Sequence, residues 1–244
     1  MRALVVTAVA AEADSVATGI DPHPVHDDEP RPLPGGYRVI RRDLPGLAVD
    51  ILVGGVGPAA AAAATGTALA VADPRAPYGL VVSAGIGGGF QPDAPVGSLV
   101  VADALVAADL GAETPEGFLT VEALGFGRNT HLPPAELAAR AAEATGALLA
   151  PVLTVSTVTG TAARAARLRE LHPMAGAEAM EGFGVAEAAA AHGLPVLEVR
   201  AVSNAVGPRD RDAWRIGDAL AALTAGFRVL GPVIANWGER HDHR

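Results

Sequence analysis

Residues 177–204 read AEAMEGFGVAEAAAAHGLPVLEVRAVSN, and this stretch decides the fold. Its alanine-rich first half predicts a helix that opens at Glu181 and is closed by Gly193, because glycine readily adopts the left-handed conformation that ends helices. The apolar run 196–202 then predicts a buried strand that leads to Asn204 at its carboxyl end. Ligands of open α/β sheets bind beyond the carboxyl ends of strands. Glu181 and Asn204 are therefore expected to line one pocket.

The rest of the chain alternates in the same way, which predicts an α/β fold. A chain of 244 residues, half of them hydrophobic, can bury one core. We expect a single domain over residues 1–238 and a polar tail over 239–244. Strands are predicted at 3–8, 47–53, 78–83, 96–106 and 152–157, and helices are predicted from 11, at 58–72, 134–145, 162–171 and 213–229.

The pair Met180 and Glu181, followed by Arg-Ala-Val-Ser-Asn at 200–204, resembles the signature of the purine nucleoside phosphorylase and nucleosidase superfamily. In that superfamily the Met-Glu pair holds the ribose, and Arg-Ala-x-Ser-Asp faces the purine. The last position is Asn204 here, which resembles the futalosine hydrolase family more than the methylthioadenosine/S-adenosylhomocysteine nucleosidases. The resemblance implies a three-layer α/β/α, nucleoside phosphorylase-like fold with a central mixed twisted sheet. It also implies a homodimer or a larger homo-oligomer.

Glu12 is the second acid that the resemblance singles out. It stands where the predicted strand 3–8 passes into a helix. Nucleosidases of the superfamily carry a Glu soon after their first strand, where it activates the attacking water. Each of these residues also has an ordinary structural explanation, because acids such as Glu12 and Glu181 stabilise helix N-termini and Asn204 suits a turn. The catalytic interpretation depends on their occurring together.

Ser83, Ala84 and Gly85 begin a glycine-rich run after a predicted strand. A dinucleotide loop is excluded, because such a loop needs a helix after it and the proline-containing segment 91–95 follows instead. The run resembles the superfamily loop that approaches the ribose, which implies substrate binding by these three residues. Phosphorylases of the superfamily carry a phosphate-binding arginine three residues before that Ser. Leu80 occupies this position, which favours hydrolysis over phosphorolysis.

The remaining substrate contacts are implied by the same resemblance. The purine loop of the superfamily, usually Ser-Gly-Asp-x-Phe, corresponds to Ser-Thr-Val-Thr-Gly-Thr at 156–161, so Thr159 and Gly160 are candidates and the group that stacks on the base is unassigned. Met180 and Ser203 complete the implied substrate site.

Segment 109–130 is glycine-rich and has two interpretations. In related enzymes it helps to close the site over the 5′ substituent, sometimes from a neighbouring subunit, but the sequence alone is equally consistent with a plain loop. Futalosine carries a carboxyphenyl ketone on its 5′ side. Its carboxylate invites an arginine partner, and the unranked candidates are Arg128, Arg164, Arg209 and Arg211.

Composition excludes several classes of function. The chain has no cysteine and no lysine, which removes thiolate nucleophiles, Schiff-base lysines and P-loop lysines. Its net charge of -9 argues against nucleic acid and anionic membrane surfaces. His23 and His26 are separated by a proline, so we expect no metal there. The chemistry implied by the resemblance needs no cofactor. The short apolar N-terminus is followed directly by acids, which favours a buried strand and a cytoplasmic protein over a signal peptide.

Cleavage of an N-ribosidic bond requires stabilising a cationic sugar and a departing base. By resemblance Glu12 deprotonates water, Glu181 binds the ribose hydroxyls and Asn204 binds the base. An asparagine NH₂ is a donor for the acceptors O6 and N7 of hypoxanthine, which favours a 6-oxopurine. With this base, the resemblance implies hydrolysis of futalosine in menaquinone biosynthesis. The alternatives are an adenine-releasing nucleosidase, a phosphorylase and a nucleoside sensor without catalysis.

Overall fold

The structure, a computed structural model, describes residues 1–23 and 29–241. His26 of the predicted histidine pair lies outside the described residues. Helices form where alanine and leucine predominate and where a local residue marks the end. Thr161 caps the fourth helix by accepting a hydrogen bond from the backbone of Arg164, and left-handed Gly146 closes the third. The helices in the described part are α1 Ala10–Ile20, α2 Pro58–Ala70, α3 Ala135–Thr145, α4 Ala162–Leu171, α5 Gly182–Ala191 and α6 Ile216–His241.

The strands are short except where they cross the core. They are β1 Arg2–Thr7, β2 Arg31–Pro32, β3 Arg38–Leu44, β4 Leu47–Val53, β5 Leu80–Gly89, β6 Leu99–Val101, β7 Leu105–Ala107, β8 Gly111–Thr114, β9 Gly117–Thr120, β10 Thr130–His131, β11 Leu148–Leu149, β12 Val152–Thr154, β13 Ala177–Ala179 and β14 Val196–Ala205. Strands β8 and β9 form a separate hairpin, and the other twelve form one sheet. The sheet combines parallel and antiparallel pairs, so the prediction of a mixed sheet is confirmed.

Strand β5 is the centre of the sheet. Strand β14 pairs with it in parallel from Val81 to its end, whereas β1 pairs only with its first part, up to Ser83. Antiparallel β13 takes over the same edge at Gly88. Between Ser83 and Gly88 this edge of β5 has no strand beside it, and the gap lies beyond the carboxyl end of β1.

Both faces of the sheet are buried, which confirms the three-layer architecture. Ala3 and Val5 of β1 belong to a core cluster shared with α1, α3 and α6. Leu4 and Val6 point to the opposite face and pack in a cluster with α2 and α5. This alternation explains why the strand is apolar throughout, as strands covered on two faces are.

Helix α6 is longer than predicted. The sequence prediction ended it at residue 229, but it continues to His241, so the first residues of the predicted polar tail are helical. Its segment Ile216–Arg240 is long and apolar enough to cross a membrane by length and composition alone, with a mean hydropathy of 1.4. Leu223, Phe227 and Leu230 pack in the core cluster with α1 and α3. The apolarity of α6 is therefore that of a helix packed on a sheet.

Three other predictions are corrected by the structure. The glycine-rich run after Ser83 is not a loop but the second half of β5. The predicted strand 96–106 is divided into β6 and β7, and residues 177–179, for which no element was predicted, form β13. Segment 109–130 is more regular than expected because it contains the hairpin β8–β9.

Candidate active site

A pocket of about 300 Å³ opens at the gap beside β5. It collects residues from the segment after β1, from β5, from β13 and the start of α5, and from the end of β14. This is the carboxyl-end position at which ligands of α/β sheets bind. Its lining residues are Ala8, Val9, Glu12, Val56, Ile86, Gly87, Gly88, Val158, Glu178, Ala179, Met180, Glu181, Ser203, Asn204 and Trp214.

Five of the residues singled out from the sequence line this pocket together. They are the two carboxylates and the amide that were expected to act on substrate, and two of the expected substrate-binding residues: Glu12, Glu181, Asn204, Met180 and Ser203. The chain brings them together from positions almost two hundred residues apart because β1, β13 and β14 all border β5.

The other expected substrate-binding residues lie elsewhere. Ser83 and Ala84 are completely buried in β5 and do not line the pocket, because the sheet is covered on both faces. Gly85 lies beneath the floor in the same strand. Thr159 is buried and held by Glu178, while Gly160 is exposed beyond the lining.

Glu12 is held in one orientation by three backbone donors. Its Oε2 accepts hydrogen bonds from the N–H groups of Ala8 at 2.9 Å and Val9 at 3.2 Å. Its Oε1 accepts from the N–H of Ile86 at 2.8 Å. That N–H is free to do so because it lies in the part of β5 that neither β1 nor β13 reaches. The gap in the sheet therefore positions this carboxylate.

Glu181 stands at the N-terminus of α5 and is 6% exposed. One carboxylate oxygen accepts from the backbone N–H of Gly57 at 3.2 Å, and the other accepts from Nη1 of Arg200 at 3.1 Å. The Gly57 donor belongs to the turn before α2, so α2 and α5 hold the acid between them. A buried carboxylate with these two partners is fixed in direction.

Arg200 positions Glu181 through a buried hydrogen bond. Its three nitrogens donate to Oε1 of Glu198 at 2.9 Å, to Glu181, and to Oγ of Ser83 at 2.9 Å. Burial alone would lower the pKa of Arg200, but Glu198, Glu181 and Glu12 raise it, so the guanidinium stays charged. Burial raises the pKa of Glu198, and Arg200 opposes that rise.

Gly85 separates the acid from the arginine. A Cβ at this position would lie 2.5 Å from Oε1 of Glu12 and 2.8 Å from Nη1 of Arg200. Both atoms are held by other hydrogen bonds and have little room to move. The glycine that the sequence suggested for close approach to a ribose is required by these two side chains.

Glu178 is a third carboxylate in the pocket, and sequence reasoning missed it. It lies on β13, is 4% exposed, and accepts hydrogen bonds from both the backbone N–H and the hydroxyl of Thr159. Burial raises the pKa of Glu178, while the bonds from Thr159 oppose the rise. Glu178 thereby holds the 156–161 loop against the pocket. No periodic pattern in the sequence could have marked Glu178, because β13 has only three residues.

Asn204 and Ser203 reach the pocket through a bulge in β14. The register pairs Val202 with Gly87 and Asn204 with Gly88, so Ser203 is an extra residue. The Oδ1 of Asn204 accepts from Oγ of Ser203 at 2.8 Å, and its Nδ2 donates to the carbonyl of Ala205 at 3.0 Å. This carbonyl requires the NH₂ on that side. In the described part of the chain the second N–H of the amide has no partner.

Trp214 is another lining residue that the sequence reasoning missed. It follows β14 on a segment that is tied back to the strand, since the N–H of Arg215 donates to the carbonyl of Ser203 at 2.8 Å. The guanidinium of Arg209 lies 5.4 Å from the centre of its indole ring. Only two tryptophans occur in this aromatic-poor chain, and that scarcity was the available signal.

The chemistry of the pocket lies in its carboxylates and its amide. Among residues 1–23 and 29–241 no group of three or more acids and histidines is placed to hold an ion. Glu12 and Glu181 place two carboxylates on the pocket wall, and Asn204 adds an N–H donor. These are the groups that N-ribosidic cleavage requires.

Comparison with known proteins assigns the chain to a family. Residues 2–225 match the family model described as the phosphorylase superfamily. The chain is 63% identical over 243 residues to a futalosine hydrolase of Streptomyces coelicolor, covering 97% of this chain and 98% of that protein.

Solved structures show the same fold. A futalosine hydrolase mutant of Helicobacter pylori superposes with a TM-score of 0.78 at 17% identity, covering 94% of this chain and 98% of the other. A 5′-methylthioadenosine/S-adenosylhomocysteine nucleosidase of Colwellia psychrerythraea, in complex with adenine, has a TM-score of 0.76 at 23% identity, covering 96% and 95%. The fold alone does not separate these two activities, whereas the sequence identity does. The chain belongs to the phosphorylase superfamily and, within it, to the futalosine hydrolase family.

Proposed function

We propose that this protein hydrolyses the N-ribosidic bond of futalosine, releasing hypoxanthine and dehypoxanthine futalosine in menaquinone biosynthesis. The observation that carries the proposal is the convergence of Glu12, Glu181 and Asn204 on one pocket, in a chain 63% identical to a futalosine hydrolase. The substrate is a small nucleoside, and the proposal includes a cytoplasmic homo-oligomer that needs no cofactor.

The two carboxylates divide the work on the sugar. Glu181 binds the ribose hydroxyls, and its negative charge stabilises the oxocarbenium-like sugar as the bond from C1′ to the purine nitrogen breaks. Glu12 accepts a proton from a water molecule as the water oxygen bonds to C1′. Arg200 keeps the Glu181 carboxylate in place, and the backbone donors at Ala8, Val9 and Ile86 do the same for Glu12.

Asn204 reads the departing base. The electron pair of the broken bond goes to the purine, so O6 and N7 of hypoxanthine become stronger hydrogen-bond acceptors. The unpartnered N–H of Asn204 donates to O6, and the amide carries no charge that would repel this oxygen. An adenine would present a 6-amino donor to the same N–H, which is why release of a 6-oxopurine is favoured.

Hydrolysis is preferred over phosphorolysis because the chain has no anchor for phosphate at the expected place. Leu80, at the position of the arginine of phosphorylases, is completely buried in the core cluster with α1, α3 and α6. An apolar side chain in that setting offers phosphate neither charge nor donors.

The decisive experiment offers the purified protein futalosine, inosine and methylthioadenosine, with and without inorganic phosphate, and identifies the base by chromatography. Hypoxanthine released from futalosine at a rate independent of phosphate supports the proposal. Adenine as the preferred product indicates a methylthioadenosine-type nucleosidase. Strict dependence on phosphate, with a sugar 1-phosphate product, indicates a phosphorylase.

A further inference from the structure

We infer that Arg209 and Trp214 form a subsite at the mouth of the pocket for a negatively charged aromatic group on the 5′ side of the nucleoside. This inference rests on the proposed function and assigns the residues that bind the carboxyphenyl group. The indole provides a flat apolar surface, and the guanidinium provides the charge for a carboxylate.

The geometry places the arginine at the pocket rather than elsewhere on the surface. Trp214 lines the pocket, and the guanidinium carbon of Arg209 is 5.4 Å from the centre of its ring. The backbone N–H of Arg209 donates to the carbonyl of Gly160 at 3.2 Å, which joins this segment to the loop that carries Val158. Val158 also lines the pocket. Arg209 therefore lies beside the entrance formed by two different loops.

The distribution of charge defines where an anion can bind. Glu12, Glu178 and Glu181 make the interior of the pocket acidic, and the donors of Arg200 are taken by Glu198, Glu181 and Ser83. A carboxylate on the substrate is therefore repelled from the interior and needs a cation outside it. Arg209 is such a cation, because its side chain is exposed and forms no ion pair within the described residues.

The other candidate arginines are less well placed. Arg164 pairs with Asp109 at 3.7 Å and lines a separate cavity between α4 and the β8–β9 hairpin. In the described part of the chain, the side chains of Arg128 and Arg211 make no hydrogen bond, ion pair or ring contact with a residue that lines the active-site pocket.

The apolar rim fits the ring that carries the charge. Val9 and Val56 line the pocket but remain 43% and 58% exposed, which is unusual for valine. The backbone N–H of Val9 donates to Glu12, and Val56 precedes Gly57, which donates to Glu181. Both valines therefore lie next to the two carboxylates. An aryl group extending from the ribose would cover these valines and the indole together.

The test compares futalosine with its methyl ester, which keeps the aryl ketone but removes the charge. Arg209→Met keeps an apolar stem over the indole, and Arg209→Lys keeps a charge. We expect kcat/KM for futalosine, relative to that for the ester, to fall by about threefold to tenfold in Arg209→Met, the range of a partly exposed charge-assisted contact, and by less in Arg209→Lys. Higher salt should raise the KM of the wild type for futalosine more than that of Arg209→Met.

Two further variants complete the design. Arg211→Met, on the same exposed turn, is the matched control and should leave the ratio unchanged. Trp214→Leu should lower kcat/KM for futalosine and for its ester by similar factors, relative to kcat/KM for inosine, which lacks the aryl group. A wild type inactive on futalosine overturns the proposed function itself. The subsite is overturned if the wild type is active on futalosine but Arg209→Met has the same kcat/KM ratio of futalosine to ester, and the same response of KM to salt, as the wild type.

Discussion

Arg200 and Glu181 form a buried ion pair, with Nη1 donating to Oε2 at 3.1 Å and side chains only 1% and 8% exposed. Removing one member of such a pair leaves an uncompensated buried charge, which costs about 3 to 5 kcal/mol. The pair therefore makes the direction of the Glu181 carboxylate a property of the fold as well as of the site.

Glu12→Gln and Glu181→Gln should each lower kcat by about 10²-fold or more, because each removes a charge placed for water activation or for the sugar cation. Steady-state rates on futalosine measure the loss, and circular dichroism shows whether the variant is folded. Glu12→Gln should also lower the thermal midpoint. The amide would turn its NH₂ towards a backbone N–H that now donates to the carboxylate, so two donors would face each other. A folded variant with nearly normal turnover would return that residue to a structural role.

Asn204→Asp should change the choice of base. The substitution preserves shape but replaces an N–H donor with a group that donates only when protonated. A mispaired hydrogen bond in a buried site costs on the order of 1 to 3 kcal/mol, so the preference for a 6-oxopurine over the matching 6-aminopurine nucleoside should fall by roughly ten- to a hundredfold. Competition between the two nucleosides measures this ratio independently of general damage. If the ratio does not move, Asn204 does not read the base.

Gly85→Ala should damage both stability and activity, because its Cβ would press on Glu12 and Arg200. We expect a loss of about 1 to 3 kcal/mol in the free energy of unfolding, typical of overpacking, and a fall in kcat of about tenfold or more as Glu12 is displaced. Gly66→Ala is the matched control. No atom lies within 4 Å of its added Cβ, and alanine in the interior of α2 should stabilise the protein by up to about 1 kcal/mol. Equal effects of the two changes on activity would contradict this account.

Asp50→Asn should remove an acid-sensitive part of the stability. Asp50 is buried and accepts hydrogen bonds from Arg2, Arg41 and Tyr78. Burial acts to raise the pKa of Asp50, but these bonds outweigh it and hold the pKa below its ordinary value of 3.8. Because the folded pKa is the lower one, the stabilisation is fully present above pH 3.8 and is lost as the pH falls through the folded value.

Urea unfolding of the wild type and Asp50→Asn at two pH values tests that sign. At pH 7 the variant should be less stable by about 3 kcal/mol, because the half-buried Arg2 and Arg41 and the buried Tyr78 lose the anion to which they donate. At pH 3 the difference should be smaller, since the unfolded carboxyl, which has the higher pKa of 3.8, is by then largely protonated. A difference that stays constant across this range would show that the charge of Asp50 does not contribute.

The local sequence pattern was sufficient to predict some elements from end to end. Helix α4 was predicted with the bounds that it has, and in the structure Thr161 caps its start; strand β4 was predicted equally well from its continuous apolar run. The sequence also placed Glu12, Glu181 and Asn204 at the ends of elements. Since parallel strands share one carboxyl edge, a common pocket followed without coordinates.

Other parts of the site depend on contacts between segments distant in sequence. The glycines after Ser83 resembled a loop because glycine is a poor strand former. Only the crowding by Glu12 and Arg200 explains why position 85 of β5 must be glycine. The short β13 has too few residues for a periodic signal, so the inward position of Glu178 was not visible. Trp214 reaches the pocket through a turn tied to β14. Burial and the hydrogen bonds between these segments exist only once the chain has folded, and they decide which side chains face the substrate.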